Sequence, residues 1–442
     1  MNARKIIVEI LDNVLLNGAY SNIEINKQFA SNDIDPKDKG LITEVVYGTI
    51  KYKKMIDIIL SNFVADIGKI DESVVNILRS AIYQMKFLDR VPPYAIVNEA
   101  VNLTKETEPN LAKFVNGVLR NYLRNENKNF KVGLRNNEAL CYDFSFDRWM
   151  IEMFIKQYGK DDALRILRGL NTVPYVTVRV NTCKADYDEV YERLEEEGYD
   201  IEEGAFSPEA IIIKKGSAIE KNKLYQEGLI TVQDESAMLV APLFDLKGDE
   251  QVMDLCSAPG TKATHIGELM MNKGKVVAFD IHDHKLALIK ENIDRLGLTN
   301  VEVELGDATK INSKYINWAD RVLLDVPCSG LGIIRKKPEI KWNKKNNDLT
   351  EVVKVQKEIL KNAWNYLREG GELVYSTCTL NKKENEEVID WFVERNSDCE
   401  VEKVFLGKAD NVVYNDNGSI TILPNKYMDG FFIAKLKKKE SK

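Results

Sequence analysis

Apolar residues recur at a spacing of three or four through residues 1–125, which is the period of amphipathic helices. The clearest segments are "ARKIIVEILDNVLL", "ESVVNILRSAIYQMKFL" and "AKFVNGVLRNYLR". They are separated by stretches such as "SNDIDP", "ADIGKID", "DRVPP" and "ETEPN", whose Pro, Gly, Asp and Asn residues are typical of turns. The pattern predicts a small bundle of helices.

The pattern changes after a polar stretch at 125–137. Two more predicted helices, "DRWMIEMFIKQYG" and "DDALRILRGL", come first. A period of two then appears in "YVTVRVN", "EAIIIKK" and "LITVQD", as in strands, with the helical segment "DEVYERLEEEG" after the first of them. We therefore predict linker helices followed by a compact α+β module at 174–232.

Predicted strands and helices alternate from residue 250 onward. The strands are "QVMDLC", "KVVAFDI", "VEVELGD", "RVLLDVP", "ELVYSTC" and "GFFIAKL". This alternation predicts a parallel sheet covered by helices on both faces, a doubly wound, Rossmann-like α/β domain. The predicted multidomain chain thus has domains at 1–130, 140–232 and 233–442. Ligands in a doubly wound sheet bind at the carboxyl ends of the strands.

The composition and the N-terminal pattern favour a cytoplasmic protein. The apolar share is 44%, as in ordinary globular proteins, and no run of about 18 apolar residues predicts a membrane span. The N-terminus alternates charged and apolar residues instead of forming a signal sequence. Six cysteines without C-x-x-C pairs and three histidines give no zinc spacing and no metal site. We expect a cytoplasmic protein with reduced thiols.

The net charge of −7 argues against simple electrostatic attachment to nucleic acid. The charge is uneven, however. The segment "RKKPEIKWNKK" at 335–345 carries six Lys or Arg residues against one Glu, whereas "DYDEVYERLEEEGYDIEE" at 186–203 carries ten acids. We interpret the acidic run as a solvated helix face.

The first turn of the α/β domain indicates a nucleoside cofactor. In "DLCSAPGTKATH" (254–265) a tight Pro–Gly turn leads from a strand into a helix, which brings backbone N–H groups to a ligand. Neither G-x-G-x-x-G nor a Walker lysine pattern is present. The next strands end in Asp280, Asp307 and Asp325, where carboxylates can bind ribose hydroxyls and lie beside adenine. This order favours S-adenosylmethionine.

Two cysteines follow predicted strands, Cys328 in "DVPCSGLG" and Cys378 in "VYSTCTL". A thiol of ordinary pKa is only about 3% thiolate at pH 7, a handicap of roughly 2 kcal/mol for a nucleophile. Asn381 and Glu384 have the spacing of a capping box. We therefore predict a helix N-terminus near Cys378 that stabilises its thiolate.

Cytosine methylation at C5 is chemistry that suits two thiols. C5 is a poor nucleophile until a thiolate adds to C6, after which C5 can accept a methyl group from a sulfonium. The C5 proton must then leave and the C6–S bond must break, which requires a nearby base. The second cysteine can assist, and the carboxyl of Asp325 can bind the N3 and amine edge of the base.

Four segments carry a family resemblance: "DLCSAPGTKATHIGELM", "DVPCSGLGIIRKKPEIKW", "LVYSTCTLNKKENEEVI" and "DGFFIAKL". They resemble the successive motifs of RNA cytosine-5 methyltransferases. The N-terminal bundle resembles the transcription antitermination factor NusB, and together they resemble bacterial enzymes that methylate 16S ribosomal RNA. The resemblance covers nearly the whole chain and is most specific in the last domain.

The resemblance implies the site residues. Cys378 would be the nucleophile, Cys328 would help to release the product, and Asp325 would act beside them. The S-adenosylmethionine site would consist of Cys256, Ser257, Ala258, Pro259, Gly260, Thr261, Lys262, Asp280, Asp307 and Asp325.

The resemblance also implies the partners. The target would be the cytosine at position 967 of 16S rRNA, in the usual reference numbering. The helical domain and the α+β module would bind this RNA, and the chain would act as a monomer without DNA or membrane partners. Three residues depart from the usual motifs: Thr261 replaces a glycine, Val326 an alanine and Asn425 a histidine.

Three alternatives stay open at this point. The chain can be a cytosine-5 methyltransferase of another RNA, a NusB-type RNA-binding factor without catalysis, or a DNA enzyme in which Cys328 is the nucleophile. A catalytically inert factor would have lost the strand-end acids or a cysteine, and both sets are present. The second cysteine and the NusB-like bundle argue against a DNA enzyme.

In an enzyme that modifies RNA, the basic segment that follows Cys328 would contribute to RNA binding. Its lysines and Arg335 could hold phosphates, and Trp342 could stack a base. A paired target base would have to be flipped out, because ring chemistry needs access to both faces.

Overall fold

The computed structural model describes residues 2–346 and 348–440, which form two compact units. The first unit contains the described residues up to Leu167 together with Lys336–Lys345. The second contains Arg168–Arg335 and the described residues from Asn346 onward. No helix of the described residues is both long and apolar enough to cross a membrane.

The α-helices of the described residues are, in chain order, α1 (Ala3–Leu15), α2 (Ser21–Ser31), α3 (Pro36–Lys51), α4 (Lys53–Leu60), α5 (Glu72–Phe87), α6 (Pro93–Thr107), α7 (Ala112–Arg124), α8 (Asn137–Phe144), α9 (Arg148–Gly169), α10 (Tyr187–Glu196), α11 (Lys223–Gln226), α12 (Glu235–Met238), α13 (Thr261–Leu269), α14 (Asp283–Leu296), α15 (Ile340–Asn343), α16 (Asp348–Tyr366) and α17 (Glu386–Val393).

The strands of the described residues are β1 (Val176–Val180), β2 (Asp200–Glu203), β3 (Ala210–Lys215), β4 (Ile230–Val232), β5 (Gln251–Asp254), β6 (Lys275–Asp280), β7 (Val301–Leu305), β8 (Ala319–Asp325), β9 (Leu367–Thr377), β10 (Cys399–Glu402), β11 (Val412–Tyr414), β12 (Ile420–Ile422) and β13 (Phe431–Lys438).

The first unit is the predicted helical bundle. Helix α5 begins after Asp71, whose side chain accepts hydrogen bonds from two backbone N–H groups of the first turn, and α3 begins with Pro36 after the capping residue Asp35. The apolar faces of these helices share one core. The sequence pattern missed α2 because its buried residues include Ser21 and Glu24, so the helix lacks a clear apolar face.

The segment Lys336–Lys345 belongs to this helical unit. The Glu339 carboxylate accepts from the backbone N–H of Ser21 at 3.1 Å and from its hydroxyl at 2.9 Å, at the start of α2. Lys341 Nζ donates to the carbonyls of Lys51 at 3.1 Å and Ser145 at 3.0 Å, beside the ends of α3 and α8. An acid at a helix N-terminus and a cation at helix C-termini complement the helix dipoles.

Burial overturns the phosphate-binding role predicted for two side chains of the basic segment, Lys341 and Arg335. Lys341 is fully buried, and burial lowers the pKa of its ammonium well below the usual value. The indole of Trp342 donates to the carbonyl of Ile50 at 2.7 Å. In the second unit, Arg335 is buried and pairs with Asp429 at 2.6 Å. A charge pattern cannot show that basic side chains satisfy backbone carbonyls and carboxylates inside the protein.

The second unit contains the predicted α+β module. Its antiparallel sheet has the order β2-β3-β1-β4 in the described part of the chain, and the sequence pattern missed the short acidic strand β2. Arg179 of β1 is fully buried and donates to both carboxylate oxygens of Glu268 at 3.0 and 2.9 Å. It also donates to the carbonyl of Thr261 at 2.9 Å. This fork ties the module to α13, which begins at Thr261.

The large sheet of the second unit is mixed. Its order is β11-β12-β13-β9-β8-β5-β6-β7, with β10 also paired to β13. The five strands from β9 to β7 are parallel as predicted. β13 runs antiparallel to β9, and the prediction of an entirely parallel sheet is wrong at this edge. Antiparallel strands need no crossover helix, so predicted helices and strands do not alternate in the segment that contains β10, β11 and β12. The sequence pattern therefore missed these three short strands.

Candidate active site

The candidate site lies where adjacent parallel strands end. β5 ends at Asp254, β6 at Asp280, β8 at Asp325 and β9 at Thr377. The carboxyl ends of neighbouring parallel strands meet at one edge of the sheet, where a doubly wound fold binds its ligands. The cofactor turn and both cysteine segments therefore begin from the same edge.

The two cysteines predicted to be catalytic lie together. Cys328 Sγ and Cys378 Sγ are 3.1 Å apart, and both are free thiols. The hydrogen bond to Cys378, together with burial and the negative charge that Cys378 can carry, raises the pKa of Cys328 well above its usual value. Either sulfur can donate in this S–H···S hydrogen bond, so the contact pairs the two thiols without assigning the proton to one of them.

A partly buried ion pair links the cofactor turn to the cysteine strands. Lys262 Nζ lies 2.7 Å from Asp325 Oδ2, and the hydroxyl of Ser376 donates to Asp325 Oδ1 at 2.8 Å. Burial opposes the charge of Lys262, but the Asp325 carboxylate outweighs it and raises the pKa of the ammonium. Lys262 thus pairs with the carboxylate that precedes Cys328, and its predicted assignment to the cofactor stays a prediction.

The predicted cofactor turn is closely bonded to the end of β6. The N–H of Ser257 donates to the carbonyl of Phe279 at 2.8 Å. Asp280 accepts from the N–H of Ala258 at 3.3 Å and from that of His282 at 2.9 Å. A carboxylate has about four acceptor positions, so Asp280 keeps acceptor capacity for ribose hydroxyls. This acceptor fits the ribose of the predicted nucleoside.

Gly260 sets the direction of the helix that carries Lys262. Its φ is +98°, in the region where L side chains are strained. A Cβ at this position would also lie 2.9 Å from the side chain of Ile289. The glycine thus allows α13 to begin directly after the turn and to point its first residues at the strand ends.

A cavity of about 360 Å³ lies beside the end of β7. This is near the lower end of the range for small-molecule sites. Phe279, Leu255 and Tyr366 supply apolar walls, and Asp307 supplies a carboxylate, a lining that fits the adenine of the predicted cofactor. The two thiols are not among the residues that line this cavity.

Asp307 also has a local structural role. Its carboxylate accepts from the Thr309 hydroxyl at 2.6 Å and from the Thr309 N–H at 3.0 Å. The hydroxyl bond, with further help from Lys310, lowers the pKa of Asp307. Its assignment to the cofactor stays a prediction.

Asp254 is an acid that the sequence prediction did not assign. It ends β5, is 1% exposed and accepts from the N–H of Cys256 at 3.3 Å. Burial and the neighbouring charge of Asp325 raise its pKa to about 7. The signal available in the sequence was its place as the last residue of the strand before the cofactor turn.

Asp254→Asn is expected to stabilise the protein more at pH 8 than at pH 5. The unfolded chain releases the Asp254 proton near pH 3.8, whereas the folded protein releases it near pH 7. Between these values the folded state holds the extra proton, so stability falls as pH rises, and the full cost, of order 1–4 kcal/mol, is present above pH 7.

Urea unfolding of the wild type and Asp254→Asn at both pH values measures this effect. The exposed Asp416→Asn variant is the control for a general loss of one negative charge. A stability difference for Asp254→Asn that is equal at pH 5 and pH 8 would contradict the raised pKa.

The predicted capping box near Cys378 is wrong. α17 begins at Glu386 after Asn385 and has no side-chain cap. Glu384 instead turns its carboxylate to Ser329, with an N–H···O distance of 2.8 Å. The spacing of Asn381 and Glu384 is real, and Asn381 donates to Glu384 at 3.0 Å, but the pair serves the cysteine loops instead of a helix N-terminus.

The three residues that depart from the family motifs do not alter the pair of thiols. The carbonyl of Thr261 accepts from Arg179, and Val326 is buried in the core. Asn425 Oδ1 accepts from the N–H groups of Tyr427 and Met428, each at 2.8 Å. Asn425 therefore shapes its own turn.

Comparison with known proteins supplies the family. A model of 16S rRNA methyltransferase RsmB/F matches residues 241–437, the NusB family matches 1–124, and the ferredoxin-like domain of RsmF/B-like methyltransferases matches 146–220. The chain is 38% identical to a probable ribosomal RNA small subunit methyltransferase B of Bacillus subtilis, over 99% of both chains. The chain belongs to the ribosomal RNA small subunit methyltransferase B family.

Two further proteins are similar to this chain along nearly all of its length. A probable methyltransferase B of Synechocystis is 34% identical over 99% of this chain and 100% of the relative. The crystal structure of PH0851 has a TM-score of 0.83, 27% identity and 99% coverage of both chains. These findings confirm the predicted family, the three-part fold and a methyltransferase that uses S-adenosylmethionine. They also favour small-subunit rRNA over DNA and catalysis over RNA binding alone.

Proposed function

We propose that this methyltransferase transfers a methyl group to C5 of one cytosine in 16S rRNA, with position 967 as the target, through a covalent bond between Cys378 Sγ and C6. The observation that carries the proposal is the pair of thiols 3.1 Å apart in the second unit, which also holds the Lys262–Asp325 ion pair. C5 of cytosine must be activated before it can be methylated. This chemistry would use one thiol to add to C6 and the other to help release the product.

The two thiols divide the reaction between them. Cys378, which follows β9, adds to C6 as the thiolate, and the electron pair of the C5=C6 double bond moves towards C5. Bound S-adenosylmethionine supplies an electrophilic methyl group on a sulfonium. Once Cys378 is bonded to C6, its sulfur carries no charge, so one of the causes that raise the Cys328 pKa is removed. Cys328 then releases its thiol proton to water and takes the C5 proton as a thiolate, while C5=C6 re-forms, the C6–S bond breaks and Cys378 leaves as the thiolate.

Lys262 and Asp325 bind the edge of the base in this proposal. An ammonium has three N–H donors, and one of them lies on Asp325. The others can donate to the acceptor edge of cytosine, where electron density collects when sulfur adds to C6. Asp325 can accept from the exocyclic amine, and the remaining cofactor residues from Cys256 to Thr261 with Asp280 and Asp307 would hold S-adenosylmethionine.

The other domains supply RNA contacts in this proposal. The helical domain at 1–130 and the module at 140–232 bind the rRNA, and 233–442 performs the chemistry. The target base is flipped out if it is paired, because both ring faces must be reached. We further propose that the chain works as a monomer in the cytoplasm.

A nucleoside assay tests the proposal. The full chain is incubated with S-adenosylmethionine labelled in its methyl group and either protein-free 16S rRNA or assembled small subunits. After digestion, the label is expected in 5-methylcytidine from a single position. Label in any other nucleoside would overturn the C5 assignment, and large-subunit rRNA is the control for indiscriminate methylation.

A further inference from the structure

The buried carboxylate of Glu384 bridges the two cysteine loops. Its side chain is fully buried. Oε2 accepts from the N–H of Ser329 at 2.8 Å, and Oε1 accepts from the Ser329 hydroxyl at 2.5 Å. Asn381, three residues after Cys378, donates to Oε1 at 3.0 Å. One carboxylate thus joins the residue next to Cys328 to the segment that follows Cys378.

Gln356 of α16 holds the other side of Cys328. Its Nε2 lies 3.2 Å from Glu384 Oε2 and donates to the carbonyl of Pro327 at 3.0 Å. The residues before and after Cys328 are therefore both bonded to this network. Burying a carboxylate is costly unless donors surround it, and Glu384 has donors from three other side chains and a backbone N–H.

The far end of the Cys328 loop is fixed by backbone contacts. The N–H of Gly332 donates to the carbonyl of Cys378, and the N–H of Gly430 donates to the carbonyl of Gly332, both at 2.9 Å. A Cβ on Gly332 would lie 1.9 Å from the Gly430 carbonyl oxygen. The loop is closely packed at this end, and the Glu384 network fixes the opposite end, at Cys328.

Cys378 has a separate support. The Thr377 hydroxyl donates to Asn385 Oδ1 at 2.7 Å, and Asn385 Nδ2 donates to the carbonyl of Thr379 at 3.0 Å. Asn385 therefore holds the residues on both sides of Cys378. Glu384 and Asn385 are adjacent in sequence: the Glu384 carboxylate binds Ser329 directly after Cys328, whereas Asn385 binds both neighbours of Cys378. The hydroxyls of Ser329 and Thr379, 2.7 Å apart, connect the two sets of contacts.

We infer that Glu384 is a positioning residue that keeps Cys328 at the distance from Cys378 needed for product release, whereas Asn385 positions the nucleophile. This inference rests on the proposed function. Because Glu384 acts through Ser329 and Pro327 on Cys328, its loss affects the step in which the C5 proton leaves and the C6–S bond breaks. A displacement of a reacting group by about 1 Å can cost about 10²-fold in rate.

Glu384→Gln tests the inference in the full chain with S-adenosylmethionine and 16S rRNA. The variant keeps the size of the side chain but replaces one acceptor by a donor that faces the donors from Ser329 and Asn381. Multiple-turnover methylation is expected to fall about 10- to 100-fold, while the first turnover changes only a few-fold. Covalent RNA–protein adduct on a denaturing gel is expected to rise towards the amount formed by Cys328→Ala.

Asn385→Ala is the matched variant: it is expected to slow the first turnover without accumulating adduct. A Glu384→Gln variant that shows no more adduct than the wild type, while Cys328→Ala traps it, would overturn the inference. If neither Cys328→Ala nor Glu384→Gln forms an adduct, the proposed function fails and the inference fails with it. If circular dichroism shows that Glu384→Gln is unfolded, Gln356→Met replaces it, because this variant removes the bond to the carbonyl of Pro327. The same rise in adduct is then expected for Gln356→Met, and its absence would overturn the inference.

Discussion

Cys378→Ala is expected to lower the single-turnover rate of methyl transfer by at least about 10⁴-fold, because removal of a covalent nucleophile eliminates the step on which the later ones depend. Cys328 lies 3.1 Å away, but in the proposed reaction it removes the C5 proton and does not add to C6. Methyl incorporation from labelled S-adenosylmethionine into 16S rRNA, with enzyme in excess, measures the rate.

Cys328→Ala is the matched variant for this prediction. It keeps the nucleophile and is expected to form a covalent RNA–protein adduct that survives a denaturing gel, because release lacks its base. Adduct with Cys378→Ala and none with Cys328→Ala would place the nucleophile at Cys328 and restore the DNA-type mechanism. Cys399→Ala, which removes a buried thiol outside the pair, controls for the loss of any cysteine.

Local sequence patterns predicted the elements whose stability comes from their own apolar face. The amphipathic helices α1 and α5 and the apolar strands β5 and β8 belong to this group. The pattern failed where tertiary contacts decide. α2 receives its N-terminal partner from Glu339, more than 300 residues away, and the antiparallel pairing of β13 with β9 has no signature in either strand alone.

The candidate site also combines residues that local patterns could identify with residues whose roles depend on tertiary contacts. Cys328 and Cys378 could be singled out because each follows the end of a predicted strand, and parallel strand ends converge. The role of Glu384 could not be predicted, because its spacing from Asn381 matches a capping box and its main partner, Ser329, is 55 residues away. The prediction for Lys341 failed for a related reason: its ammonium donates to the carbonyls of Lys51 and Ser145 inside the helical unit.

Lys262→Met is the second variant with a large expected effect. Methionine keeps the length of the side chain but removes the charge and all three donors. We expect methyl transfer to fall by about 10²- to 10³-fold, the cost of removing one donor from a site of developing negative charge. The Asp325 carboxylate would also lose the partner now 2.7 Å away.

A single-turnover assay at saturating S-adenosylmethionine separates this effect from weaker cofactor binding, since Lys262 follows directly on the cofactor turn. Lys290→Met, at an exposed position of α14, is the control for the loss of one lysine. In a Lys262→Met, Cys328→Ala double variant the adduct should form as slowly as methyl transfer does in Lys262→Met, because both depend on addition of sulfur to C6. A double variant that forms adduct as fast as Cys328→Ala would show that Lys262 acts after the addition and that its donors do not stabilise the electron density displaced from the C5=C6 bond.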